Sequence, residues 1–201
     1  MKFSFKYLAV AACAFMLVLP AVAMAGGNVS TVNKSIRIDD NSSTGNVESI
    51  NGSIRIGASS VVKSVESVNG SIKLGENVKV ERGIESVNGS VTLESGGEVD
   101  GTVKTINGSI RLQNTVVTGD IDTMNGSIRL LQGTEVVGDV VVRKSRGWNN
   151  NKRRNPVKVE IGENVQVHGD LIFEHPVELK LHSSASVGEI IGDEVTIVSS
   201  S

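Results

Sequence analysis

The sequence predicts an all-β fold, a single-stranded right-handed β-helix (β-solenoid) of about eight coils of 18–19 residues with one inserted loop near residues 146–155. Three observations lead there. Near-copies of Ile50-Asn51-Gly52-Ser53-Ile54-Arg55-Ile56 recur with their asparagines, Asn33, Asn51, Asn69, Asn88, Asn107 and Asn125, stepping by 18, 18, 19, 19 and 18 residues, and a fixed period of this size marks a stacked repeat. The repeats are rich in Val, Ile, Ser, Thr and Gly, with no helical spacing of apolar residues over ten positions, so their elements are short strands. Apolar residues alternate with polar ones inside each copy, as in Ile54-Arg55-Ile56 and Val91-Thr92-Leu93, which gives each strand one buried face.

Residues 1–25 read as a secretory signal peptide. Lys2 and Lys6 precede an apolar run from Leu8 to Leu19, Pro20 ends it, and Ala23-Met24-Ala25 supplies small residues before a cut that leaves Gly26 first. Val10-Ala11-Ala12-Cys13 has the look of a lipoprotein cleavage site, but such a site follows the apolar run and here the run continues through Ala14–Leu19. The protein is therefore expected outside the cytoplasm, in a bacterial periplasm or secreted, with no membrane span left after cleavage. Cleavage removes the single cysteine, so disulfide and thiolate chemistry go with it. It also removes two lysines and no acid, which moves the formal charge from −2 to about −4. Nothing in that mildly acidic charge suggests nucleic acid, which would call for a basic stripe. Four of the six aromatic residues leave as well, so only Trp148 and Phe173 remain as possible stacking surfaces.

Residues 26–201 form one domain: regular repeats over 26–142, a basic loop over 143–156 and degenerate coils over 157–201. Within the repeats two architectures compete. Asn-Gly between alternating residues is a hairpin signal, and it would fold Val47-Glu48-Ser49-Ile50 back on Ser53-Ile54-Arg55-Ile56, leaving Ile50 on the solvent face beside Glu48 and Arg55. The solenoid instead lets each residue stack on its counterpart one coil away at about 4.8 Å. It is expected to point Ile50, Gly52, Ile54 and Ile56 inward along one strand, with Asn51, Ser53 and Arg55 outward. Corners are expected near Glu48 and Ser49, and again in the glycine-containing second half, as in Val117-Thr118-Gly119-Asp120 and Val167-His168-Gly169-Asp170. Eight coils make a rod of roughly 35–40 Å.

At residue 143 the rule fails. Val142-Arg143-Lys144-Ser145 stands where a further Asn-Gly-Ser is due, and an Asn-rich polar stretch intervenes before Val157-Lys158-Val159-Glu160-Ile161 resumes the strand. Insertions in repeats map to loops on one face. Lys144, Arg146, Lys152, Arg153 and Arg154 surround Trp148 here, a set able to grip an anionic group while the indole packs on a partner; a solvated loop explains the same residues.

Two ladders follow from the repeat itself. Arg37, Arg55, Lys73, Arg111 and Arg129 form an outward basic row broken by Thr92, and Glu48, Glu66, Glu85 and Asp122 form an acidic one broken by Lys104. Such rows can contact an anionic polymer or simply solubilise a strand face. The five Asn-Gly-Ser sequons follow from the coil, with glycine required by close packing and Asn and Ser suited to bonding along the stack. His168, His175 and His182, seven residues apart, fall on different sides of an 18-residue turn and do not suggest a metal. Asp120, Asp139 and Asp170 read as turn residues. No nucleophile, base and orienting group stand together, so neither an enzyme nor a cofactor is expected. Cleavage of acidic polysaccharide, known for larger solenoids, is the remaining enzymatic option.

With a signal, an apolar-x-Gly-x-Ile-x-Leu rung and this coil length, residues 28–198 resemble bacterial secreted β-solenoid domains of the adhesin type, whose function is unknown, and more distantly the polymer-forming bactofilins. The resemblance implies architecture and gives little about role. It supports the expectation of a non-enzymatic structural or scaffold protein that self-associates end to end, because a solenoid leaves open sheet ends that need a cap or a partner. The alternative is a binding module for an anionic envelope component through the loop around Trp148.

Overall fold

A computed structural model describes residues 26–144 and 155–200. Every strand pairing among them is parallel, and the described residues contain no helix. This is a β-solenoid of about eight coils, and the hairpin alternative, which needs antiparallel pairs, is excluded.

Each coil contributes strand segments to three faces. The rung face is one nine-stranded sheet that runs from Ile36–Ile38 through Ile54–Ile56, Ile72–Leu74 and Val91–Leu93 to Val195–Ser200. A second sheet supplies the other two. Its acid face runs through Val29–Thr31, Val47–Ser49, Val103–Thr105, Ile121–Thr123 and Val140–Val142, and its third face through short segments such as Glu98–Val99, Val116–Val117 and Glu135–Val136. The longer strands Val61–Ser67 and Lys79–Ser86 belong to both faces.

The core is a set of inward columns, one apolar residue per coil. Ile54, Ile72, Val91, Ile110, Ile128 and Val159 stack on the rung face, Val47, Val65, Ile84, Val103 and Ile121 on the acid face, and Val62, Val80, Val99, Val117 and Val136 on the third, all buried. Stacking each residue on a like one keeps the volume per coil constant, which close packing demands. Full burial of each such side chain is worth about 1.5–3 kcal/mol.

One expectation is overturned. Ile50 does not point inward: it is 46% exposed, as Val32 (56%) and Val68 (39%) are in neighbouring coils. The strand ends at Ser49 and restarts at Ile54, so residues 50–53 are the corner that was expected at Glu48 and Ser49. Alternation along Val47–Ser49 is in, out, in, and the next residue must face out. The inward slot falls to a small polar residue instead, as Ser49, Ser67, Ser86, Thr105 and Thr123, all buried.

The glycine of the motif is required by how tightly this corner stacks. A Cβ on Gly52, Gly70, Gly89, Gly108 or Gly126 would collide with the backbone carbonyl of the residue beneath it in the preceding coil. Lys34 holds the same place in the first described coil, beneath Gly52, with no described coil below it, and there a side chain is tolerated.

A second column sits at the corner after the rung. Asn41, Ser59, Asn77, Gly96, Asn114, Gly133 and Asn164 all take positive φ, between 45° and 80°. Residues able to adopt the left-handed region recur there because the chain must turn sharply before the next buried position, filled by Ser60, Val78, Thr115, Thr134 and Val165.

The insertion leaves the stack in register. Ile128 pairs with Val159 and Val142 with Phe173, so the chain departs after Lys144 and returns before Val157 at the Ile50-type corner. The coil on either side closes as though the loop were absent.

Candidate functional site

A concavity follows the corner between the acid face and the rung face. It is a groove of about 480 Å³ lined by Val32, Ile50, Val68, Val87 and Ile106, one apolar residue per coil, with Glu48, Glu66, Glu85 and then Lys104 along one side. Ser49, Ser67 and Ser86 lie at its floor. One residue after each of these apolar side chains, the motif asparagines form a continuous amide ladder. Asn51 Nδ2 donates to Asn33 Oδ1 at 3.0 Å, Asn69 to Asn51 at 2.9 Å, Asn88 to Asn69 at 2.9 Å, Asn107 to Asn88 at 2.8 Å and Asn125 to Asn107 at 2.9 Å. The sequons are thus hydrogen-bonded one to the next.

The floor hydroxyls are unevenly satisfied. Thr105 Oγ1 donates to the Gly89 carbonyl at 3.2 Å and Ser49 Oγ to that of Lys34 at 3.5 Å. The equivalent atoms of Ser67, Ser86 and Thr123 are buried without a partner, an arrangement that costs free energy at each.

Glu48, Glu66 and Glu85 are in register on successive coils and exposed, and none forms an ion pair among the described residues. Lys104 follows Glu85 in the same row, then Asp122. Asp122 differs from the glutamates. Its side chain is 9% exposed and accepts a 2.6 Å hydrogen bond from Arg143 Nε. That bond and the attraction of the Asp122 charge hold the Arg143 guanidinium above its ordinary pKa. The row then becomes apolar, as Val141 and Ile172.

The outward basic ladder stands as a row on the rung face, with Arg37, Arg55, Lys73, Thr92, Arg111 and Arg129 paired coil to coil. It is partly neutralised. Lys73 Nζ lies 2.8 Å from Glu94, and Glu160 on the next coil pairs with both Arg129 (3.6 Å) and Lys180 (2.9 Å). On the third face Lys79 bridges Glu98 at 2.9 Å and Asp100 at 3.3 Å; the Glu98 hydrogen bond is the main cause of its raised pKa.

Of the loop set, Lys144 is described, and its backbone amide donates to Glu174 Oε2 at 3.0 Å. Arg146, Trp148, Lys152, Arg153 and Arg154 lie outside the described residues, as does the signal segment 1–25. His168 bonds Glu135 at 2.9 Å, His175 the Pro176 carbonyl at 3.0 Å and His182 Ser184 at 2.8 Å. Among the described residues no three His, Cys, Asp or Glu side chains converge on one point, and no helix is long and apolar enough to cross a membrane. Asp120, Asp139 and Asp170 form their own ladder, each accepting a backbone N–H from the next coil: Asp139 N at 2.9 Å, Asp170 N at 2.8 Å and Glu189 N at 2.8 Å.

The groove is the element that sequence reasoning missed. Its signal was present, because the apolar residue before each asparagine is always kept beside an acidic row, but assigning that residue to the core concealed it. Comparison with protein-family models, curated proteins and solved structures finds no match.

Proposed function

We propose that the chain is a non-enzymatic extracytoplasmic scaffold protein that lengthens by end-to-end stacking of coils. One observation carries the reading. Ile197 occupies the inward column above Leu179, yet it is 52% exposed where Leu179 is fully buried. The strand Val195–Ser200 is an edge of the rung sheet, and Ile36–Ile38 is the opposite edge. Both carry the apolar-x-apolar pattern of the interior rungs. A second copy set head to tail puts Ile197 over Ile36, completes the column and pairs two open parallel edges. Contacts of this heterologous kind do not close on themselves and produce filaments.

Sedimentation velocity on residues 26–201 tests it. The sedimentation coefficient is expected to rise with concentration, and Ile197→Lys to abolish the rise. A parent that sediments as a monomer at all concentrations refutes it.

A further inference from the structure

The groove along the Ile50 corner is independent of the coil ends. We propose that it is a docking site for a cationic amphipathic helix on a partner protein, lying parallel to the solenoid axis.

Charge complementarity selects the sign. Glu48, Glu66 and Glu85 stand one above another and form no ion pair among the described residues; Lys104 continues the row beside Ile106 and confines the acidic stretch to these three coils. Unit charges about 5 Å apart repel by about 1 kcal/mol even in water, so lysines or arginines laid against the row relieve a cost that the free protein carries. The same row repels anionic lipid headgroups and acidic glycans. The apolar ladder adds the second requirement. Val32, Ile50 and Val68 are exposed and Val87 and Ile106 half-buried, one continuous apolar stripe, and a partner that presented only charge would leave it in water.

Spacing selects the helix. The ladder repeats at about 4.8 Å. One turn of an α-helix advances about 5.4 Å and returns an apolar residue to the same side, so four coil intervals, about 19 Å, span about three and a half turns, a drift of about 0.6 Å per step. An extended strand returns a side chain to one face only every 6.7 Å or so and falls out of step within two coils. Apolar residues on the helix stripe then meet the Val/Ile ladder while basic residues along one flank face the glutamates.

Fluorescence anisotropy tests this with a labelled 18-residue peptide carrying Leu on one helical stripe and Lys along its flank, titrated with residues 26–201. Binding is expected at low salt and to weaken as salt is raised. Glu66→Gln/Glu85→Gln, which changes only exposed atoms, is expected to weaken it about fivefold, from typical exposed charge pairs. Ile50→Ser/Val68→Ser is expected to weaken it about tenfold, from the apolar burial lost, with circular dichroism verifying the fold. The same peptide with Glu for Lys is expected not to bind, and a version with two central prolines to bind at least tenfold more weakly. Absence of binding, equal binding of the acidic peptide, or insensitivity to the glutamate variant overturns the site. Equal binding of the proline peptide overturns the helix. If groove substitutions disrupt self-association instead of peptide binding, the groove is a contact between copies and the assignment to a partner protein fails.

Discussion

Gly89→Ala places a methyl group at a corner where the coils stack backbone on backbone. The added Cβ lies 2.6 Å from the Gly70 carbonyl carbon, whereas carbon atoms in ordinary contact are about 3.5 Å apart. The two coils must separate by about 1 Å at this corner. Hydrogen bonds that cross it include Asn88 N to Val68 O at 2.8 Å and Val87 N to Ser67 O at 3.0 Å, and stretching both by that amount forfeits them, at about 1 kcal/mol each. Overpacking strain adds about 1–3 kcal/mol. The expected loss is about 3–5 kcal/mol, or a fall in Tm of about 6–20 °C for a chain of this size. Urea unfolding followed by circular dichroism reads it. Lys34→Ala is the control, because that residue holds the same column with no described coil beneath it, and its effect should stay within about 0.5 kcal/mol. If Gly89→Ala unfolds at the parent midpoint, the tight stacking of this corner is wrong.

The other predictions concern single partners. Arg143→Met leaves the buried Asp122 carboxylate without its 2.6 Å donor and should cost about 2 kcal/mol in chemical unfolding, while Asp122→Val/Arg143→Met, extending the Val141 row, should recover most of it. Asn69→Ala interrupts the amide ladder on both sides and should cost about 1 kcal/mol, since both bonds are exposed. Lys79 has its pKa raised in the folded state, chiefly by Glu98. Its contribution is therefore complete below the unfolded value near 10.4 and is lost as pH rises through the folded one. Unfolding free energies of parent and Lys79→Met should differ by about 0.5 kcal/mol at neutral pH and converge as pH rises through the folded value of Lys79.

The architecture was legible because it repeats. A period of 18–19 residues, apolar alternation and the absence of helical spacing favour a stacked solenoid over a hairpin meander, and the insertion was visible as the place where the period fails. The orientation of Ile50 was not legible. Alternation propagates along a strand but is reset at a corner, and the corner's location depends on how closely Gly52 and its equivalents stack, which appears only when the coils are assembled. The left-handed column at Asn41, Ser59 and Asn77 was hidden for a related reason: Asn, Ser and Gly share a backbone capability there and little side-chain similarity. The groove inherits both effects, since it is the corner that exposes the apolar ladder and the stacking that brings the glutamates beside it. The acidic row itself was readable from the sequence, and so was the basic one.

Cross-linking tests the coil stacking most directly. In a Cys13→Ser background, Glu48→Cys/Glu66→Cys places two thiols on paired residues of adjacent parallel strands, within the Cα separation that a disulfide spans. Glu48→Cys/Arg55→Cys places them on different faces of one coil, whereas a hairpin at Asn51-Gly52 would set them opposite each other. Mass spectrometry after mild oxidation is expected to find the intramolecular disulfide in the first variant and free thiols in the second. The reverse pattern would contradict the solenoid.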